Sequence, residues 1–435
     1  MTAMATGRTL WTRRRTLFAL FLVSTFNYID RTILSLLQIP IKRELHLTDG
    51  QMGALTGLAF AIFYTTLSLP VARIADRGNR RLLIVASLLI WSAMTACSGL
   101  AAGFATLVFF RIGVAVGESG SIPASVSLIA DSYPAERRAS AMSIWGLALP
   151  AGLMLGYAGT GWLETRFGWR TTFALVGGAG ILLAPLVFAL IREPTRPPAA
   201  ALAGEPAPSF RDSLLFLWRS RAYRLAVLGC TLHAFSQYAM MTWNAPFFVR
   251  SHGLSITQVA LLMALLSGVA GALGMYLGGF LADRLSLRDI RWRVWMMALV
   301  IGLYVPAALA QFLVPSLGLS IVMATIVAAV SIAYYGPILS VTQSLVPPGL
   351  RAICNAVLLL VFNLIGLGLG PWLVGMASDA LTAHFGAGAD GLRYALAMSL
   401  LASLAGAIVL MRCAGAYRRE IASLAHGPLP PMENA

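Results

Sequence analysis

IADRGNRR at residues 74–81 and LADRLSLR at residues 281–288 are two versions of one short charged phrase, and each follows a long apolar run. A second pair has the same arrangement. YPAERRA at 133–139 and VPPGLRA at 346–352 set Pro134 against Pro347 and Arg138 against Arg351. The two offsets, about 207 and about 213 residues, nearly coincide, which marks the chain as two related copies of one unit. REPTRPPAAALAGEPAPSF, residues 192–210, lies between the copies and contains no membrane-length apolar run.

Around these phrases the 435-residue chain is 58% hydrophobic and 11% charged, with mean hydropathy +0.78, which excludes a soluble globular protein. A helix needs about 20 apolar residues to cross the hydrocarbon core. Runs of that length occupy 17–39, 50–72, 82–102, 104–130, 140–162, 171–191, 222–248, 258–282, 292–313, 317–345, 353–380 and 391–413. The expected fold is an all-α membrane protein of twelve transmembrane helices in two six-helix halves. The halves span 1–191 and 212–415, with a cytoplasmic linker at 192–211 and a tail at 416–435.

The net charge of +15 would suit a nucleic-acid binder, but the placement of the charges argues against one. With the N-terminus inside, Lys42, Arg43, Arg166, Arg170, Arg250 and Arg393 fall outside and Arg31 and Arg111 fall within the membrane. The remaining basic residues are cytoplasmic, the positive-inside pattern of a multi-pass protein with both termini in the cytoplasm. The basic residues orient the chain first and meet anionic lipid second. Arg13, Arg14 and Arg15 resemble a signal-peptide n-region, but no small-residue cleavage site follows and the first run reads as a retained helix. Cys97, Cys230, Cys354 and Cys413 are scattered and read as packing residues, so no metal or other cofactor is expected. The absence of HExxH, P-loop and GxSxG patterns argues against a membrane enzyme, and the short tail argues against a non-transporting sensor.

NYIDRTILSLL, residues 27–37, places Asp30 and Arg31 near the middle of the first span, and Arg111 and Glu118 lie within the fourth. Each costs about 2.5–3.5 kcal/mol at the bilayer centre. Neighbours on a helix point about 100° apart, so Asp30 and Arg31 need separate partners. Arg111 and Glu118 share a face but lie about 10 Å apart along the axis. The sensible pairing is therefore across the two helices, with Arg31 or Arg111 opposite a carboxylate of the other span. Burial disfavours charge, so a proton on one carboxylate would release an arginine for a carboxylate or phosphate of the substrate. On this reading Asp30 and Glu118 carry a coupling proton, and Arg31 or Arg111 binds an anionic group. The same residues also read as a structural ion pair between the two helices.

The second half offers uncharged groups instead: His233, Gln237, Trp243 and Asn244 in the seventh span, Tyr334 and Tyr335 in the tenth, and Asn363 in the eleventh. They suit a hydrogen-bonding and aromatic wall for a substrate with an apolar body, or polar contacts between helices.

The chain resembles the major facilitator superfamily of secondary transporters over essentially its whole length. That family carries a loop signature with a glycine four residues before an Asp-Arg pair. Gly279, Asp283 and Arg284 fit it, whereas the first copy has Ala72 at the glycine position and Gly78-Asn79 before Arg80 and Arg81. The resemblance implies that Asp76, Arg77, Arg80, Asp283 and Arg284 form a cytoplasmic latch through helix-end hydrogen bonds. NYIDR, DRGNRR, RIGVAVGES and FGWRTTF are most similar to the spinster-like and organic-anion symporter branches. The spinster-like pattern of an Asp-Arg pair in helix 1, with an Arg and a later Glu in helix 4, matches Asp30, Arg31, Arg111 and Glu118. The resemblance implies a monomeric alternating-access transporter of the bacterial cytoplasmic membrane. Its substrate would be an organic anion or a lipid-like amphipathic anion moved with protons, the alternative being lipid or drug efflux by antiport.

Overall fold

A chain this apolar satisfies its backbone polar groups within the chain itself, and helices are the local way of doing so. The computed structural model describes residues 2–194, 210–386, 388 and 390–426, and these form helices joined by short turns. Most of the expected linker and the end of the tail lie outside the described residues, as do the side chains of Asp76 and Arg77.

The helices are α1 Thr2–Glu44, α2 Asp49–Ala75, α3 Arg80–Ser98, α4 Phe104–Ser132, α5 140–167, α6 169–190, α7 Arg221–His252, α8 Ile256–Ser286, α9 Trp292–Leu313, α10 Leu317–Ser344, α11 Ile353–Phe385 and α12 Asp390–Leu424. Among the described residues, ten helical stretches are long and apolar enough to cross a membrane, one of them Ser140–Leu190. Gly168, at φ 75°, breaks that 51-residue stretch into α5 and α6. The 32-residue α7 is long enough but misses the ten on composition, since His233, Gln237 and Asn244 interrupt it. The all-α fold of twelve helices expected from the apolar runs is the fold observed.

The repeat extends further than the loop phrases. Thr48 caps α2 by accepting from the Gln51 amide, and the Gln51 side chain accepts from the Thr48 amide. Ser255 and Gln258 make the same reciprocal pair at the start of α8. Each helix then widens into a π-helical turn, at Ala54–Leu58 and Leu266–Ala270.

By contacts the chain forms two compact units, and the division cuts across the sequence halves. Unit 1 comprises Met1–Leu202, Met240–Val269 and Pro371–Ala395; unit 2 comprises Ala203–Ala239, Ala270–Gly370 and Leu396–Ala435. The core of unit 2 is built on Tyr223, Cys230, Met297, Ile301, Tyr334, Ile338, Cys354 and Leu410.

In unit 1, glycine lets α1 and α5 touch backbone to backbone. A Cβ on Gly156 would stand 3.0 Å from the Ile29 Cα and closer still to the Thr32 hydroxyl, whereas one on Gly159 would meet open space. Gly156→Leu should therefore push α1 off α5 and cost about 1–3 kcal/mol. Gly159→Leu should leave the melting temperature of the purified protein unchanged, and equal losses in both would refute the close-packing account.

Candidate functional site

Asp30 and Arg31 point to different sides of α1, and each meets a charge on α4. The Arg31 Nε donates to Glu118 Oε2 at 3.0 Å, and the Arg111 guanidinium donates to Asp30 Oδ2 at 3.2 Å. Thr95 of α3 donates its hydroxyl to the other Asp30 oxygen. Two cations and two anions thus form two cross-helix bridges, the arrangement in which buried charges are tolerated. They differ in access: the Glu118 side chain is 0% exposed and that of Arg31 is 21% exposed, against 5% and 10% for Asp30 and Arg111. Arg31 is the charge of the four with the most open side.

The cations also sit on aromatic faces. Arg31 lies 5.3 Å from the ring centre of Phe60, 5.0 Å from Tyr64 and 5.8 Å from Tyr28, while Arg111 lies 4.9 Å from Phe60. Phe60 and Tyr64, one turn apart on α2 and stacked at 5.3 Å, therefore hold the guanidinium groups by cation–π attraction. Sequence reasoning passed over both, because an i, i+4 aromatic pair in an apolar span looks the same whether it faces lipid or a cation. Among the described residues, the buried Asn27 amide and the second Glu118 oxygen have no hydrogen-bond partner. A cavity of about 10 Å³ beside Arg111, lined by Thr95, Ser98, Leu107 and Phe173 among others, has room for one water and not for a substrate.

The polar residues expected in the second half separate into two groups. In unit 2, His233 is fully buried, with Nδ1 3.0 Å from the Ser403 hydroxyl and Nε2 3.2 Å from the Ser331 carbonyl. Its ring sits between Tyr304 and Tyr334, and the Tyr334 hydroxyl donates to Gln237 at 3.0 Å. Tyr335 and Asn363 are half-buried in the same unit. In unit 1, Trp243 is fully buried and donates its indole N–H to the Pro371 carbonyl at 2.9 Å, and Asn244 beside it is half-buried.

A second charged cluster, which sequence reasoning missed, joins α1, α2, α7 and α11 within unit 1. The buried Asp49 carboxylate accepts from Lys42 at 2.5 Å, from both terminal nitrogens of Arg250 at 2.6 and 2.7 Å, and from Ser378 at 2.8 Å. Asp379 accepts from the Asp49 and Gly50 amides at 2.9 and 2.7 Å, capping the N-terminus of α2. The FGWR phrase forms a clasp between helix ends: Trp169 and Arg170 donate to Glu44 at 2.6 and 2.9 Å, and Arg170 also donates to the Gly99 and Ala101 carbonyls.

Two repeated halves of six helices are an architecture found in many secondary transporters. The family model described as Major Facilitator Superfamily matches residues 20–371. The chain belongs to the Major Facilitator Superfamily. Among curated members it is 34% identical to an MFS-type efflux pump of Mycolicibacterium smegmatis, over 92% of each chain. It is 25% identical to a hexuronate transporter of Bacillus subtilis, covering 62% of this chain and 65% of that one. Among solved structures it is similar to a bacterial homolog of the human lysosomal transporter Spinster, inward-facing and unoccupied. That match has 31% identity and a TM-score of 0.77, and covers 97% of this chain and 99% of that one. The chain is thus a multi-pass facilitator of the secondary-transporter class and not an enzyme.

In this facilitator the loop-signature residues have distinct surroundings. Arg80 is fully buried in unit 1, where it donates to Asp131 at 2.5 Å, Glu193 at 2.7 Å and Ser127 at 2.9 Å. It ties the start of α3 to the end of α4 and to the residues after α6. Asp283 and Arg284 are exposed at the end of α8 in unit 2.

Proposed function

We propose that this facilitator is a proton-coupled symporter of small organic anions, with Glu118 as the proton carrier and Arg31 as the anion-binding group it controls. The observation that carries the reading is the Arg31–Glu118 bridge, with its carboxylate fully buried and its guanidinium partly open. A proton on Glu118 removes one negative charge, leaves Arg31 cationic without its counter-ion, and frees its fork for a substrate carboxylate. Anion affinity therefore rises as pH falls. Asp30 and Arg111 form the second and more enclosed pair, with Asp30 able to share the proton. His233, Gln237, Tyr334, Tyr335 and Asn363 in unit 2, and Trp243 and Asn244 in unit 1, are the uncharged candidates for substrate contact. Asp76, Arg77, Arg80, Asp283 and Arg284 latch the cytoplasmic side. The halves 1–191 and 212–415 move against each other about the midplane in a monomer of the bacterial cytoplasmic membrane, with both termini inside. Support for a carboxylate substrate comes from the likeness to the hexuronate transporter.

A second reading, efflux by antiport, draws on the likeness to the mycobacterial efflux pump over most of both chains. One experiment separates the two. Purified protein is melted with D-glucuronate, galactarate, a lysolipid or a cationic dye, at acidic and at neutral pH. Symport predicts stabilisation by the sugar acids, stronger in acid and lost in Arg31→Ala. Stabilisation by lysolipid or dye alone would overturn that reading in favour of efflux.

A further inference from the structure

Ahead of α7, the sequence FRDSLLFLWR forms a ten-residue helix, Phe210–Arg219, at the edge of unit 2. One face is anchored, with Ser213 and Leu217 buried against the unit. On the opposite face, Leu214, Leu215 and Trp218 are 37%, 44% and 69% exposed. The spacing explains this division, since residues 214, 215 and 218 share one side of a helix and 213 and 217 the other.

The exposed face is ringed by cations. Arg211, Arg219, Arg221 and Arg224 are all exposed, and Arg224 lies 5.5 Å over the Trp218 ring. The end of α12 is fixed beside them, because Glu420 accepts from the Ser220 hydroxyl at 2.6 Å and the Ala222 amide at 2.9 Å. Those bonds occupy the Glu420 carboxylate and bring Arg419, also exposed, to the same edge. Asp212, on the short helix, is half-buried. Arg418, on the same turn of α12, faces Asp289 instead, whose carboxyl is held below the usual range first by hydrogen bonds from Arg291 and last by the pull of Arg418.

We propose that this edge of unit 2 is a docking site for an anionic phospholipid of the membrane leaflet at this end of the helices. Leu214, Leu215 and Trp218 enter the acyl boundary, as on helices that lie in the interface. Arg219, Arg221 and Arg224 receive the phosphodiester headgroup. The arginines decide the occupant: a neutral lipid would satisfy the three apolar side chains but leave the cations without counter-ions. Trp218 suits this depth, with an apolar ring body below and the Arg224 cation at its face. The lipid is a resident of the protein's edge and separate from the transported anion, so the site stands whether or not the symport reading does.

The test is native mass spectrometry of the full chain titrated with phosphatidylglycerol or with phosphatidylcholine of identical acyl chains. Phosphatidylglycerol should bind more tightly. Combined Arg219→Gln, Arg221→Gln and Arg224→Gln should lower its apparent affinity on the order of 100-fold, from roughly fivefold per arginine, and leave phosphatidylcholine unaffected. Trp218→Ala should weaken both lipids together. Equal binding of the two lipids by the unaltered protein would overturn the proposal. So would a headgroup preference that survives the triple substitution, or one abolished instead by neutralising Arg13, Arg14 and Arg15.

Discussion

Glu118→Gln is expected to abolish substrate accumulation driven by a pH gradient, to the level of protein-free vesicles, while exchange of substrate across the same vesicles continues. Glutamine fixes the side chain in a neutral state of nearly the same shape. The Arg31 guanidinium, 3.0 Å from the carboxylate in the native protein, then lacks its counter-ion at every pH. Anion binding should accordingly persist at neutral pH and lose its acid dependence, because the group that linked the two events no longer titrates. Arg31→Ala should differ, losing both accumulation and exchange because the anion has lost its cation. Unchanged gradient-driven accumulation in Glu118→Gln would rule out Glu118 as the coupling group. Loss of exchange as well would mean that the carboxylate serves packing rather than coupling. The choice between symport and efflux is separate, since an antiporter that used the same carboxylate would also be uncoupled.

The second large effect is expected at the Asp49 cluster. Asp49 is 3% exposed and Arg250 supplies two of its four hydrogen bonds. Arg250→Ala leaves a buried carboxylate with Lys42 and Ser378 alone, and breaking a buried pair from one side costs about 3–5 kcal/mol. Lys42 retains part of the compensation, so a loss near the lower end, about 3 kcal/mol, is expected. Removing both charges, as Asp49→Asn with Arg250→Ala, should cost less than the sum of the single changes, the sign of a direct coupling. Arg393→Ala is the comparison: its own side chain is 17% exposed, but its partner Asp390 is 46% exposed, so water screens the pair and the loss should be the smaller of the two. Thermal melting of these variants and of Asp49→Asn alone checks the ordering, and an Arg250→Ala loss no larger than that of Arg393→Ala would refute it.

The architecture was legible because lipid imposes a strong rule on sequence. Twelve apolar runs and two repeated loop phrases specify helix number and internal duplication. The four intramembrane charges were equally legible, since each is too costly to be incidental, and helix geometry alone directs Asp30 and Arg31 to different partners. What the residues could not specify was the partnership itself: that Arg31 takes Glu118 and Arg111 takes Asp30 depends on the rotation of α1 against α4. Phe60 and Tyr64 escaped notice because aromatic residues in a span carry no mark of what they face. The Asp49 cluster escaped for another reason. Lys42, Asp49, Arg250 and Asp379 each sit near a helix end, where charge is ordinary, and 201 residues separate Asp49 from Arg250. Substrate identity is less legible still, because neutral side chains such as Gln237, Tyr335 and Asn363 serve packing and recognition equally well.

That separation along the chain has a consequence for how the protein is made. Asp49 emerges from the ribosome 329 residues ahead of Ser378. At about 5–20 residues per second, its carboxylate waits roughly 15–65 s for that hydroxyl and for the Asp379 cap that follows it. Meanwhile Lys42, seven residues away, is the early partner already made. Closure of this end of α2 is therefore among the last steps of biogenesis. A nascent chain halted before α11 would present a charged helix start held by its Thr48 cap alone, with the Asp49 and Gly50 amides still waiting for Asp379.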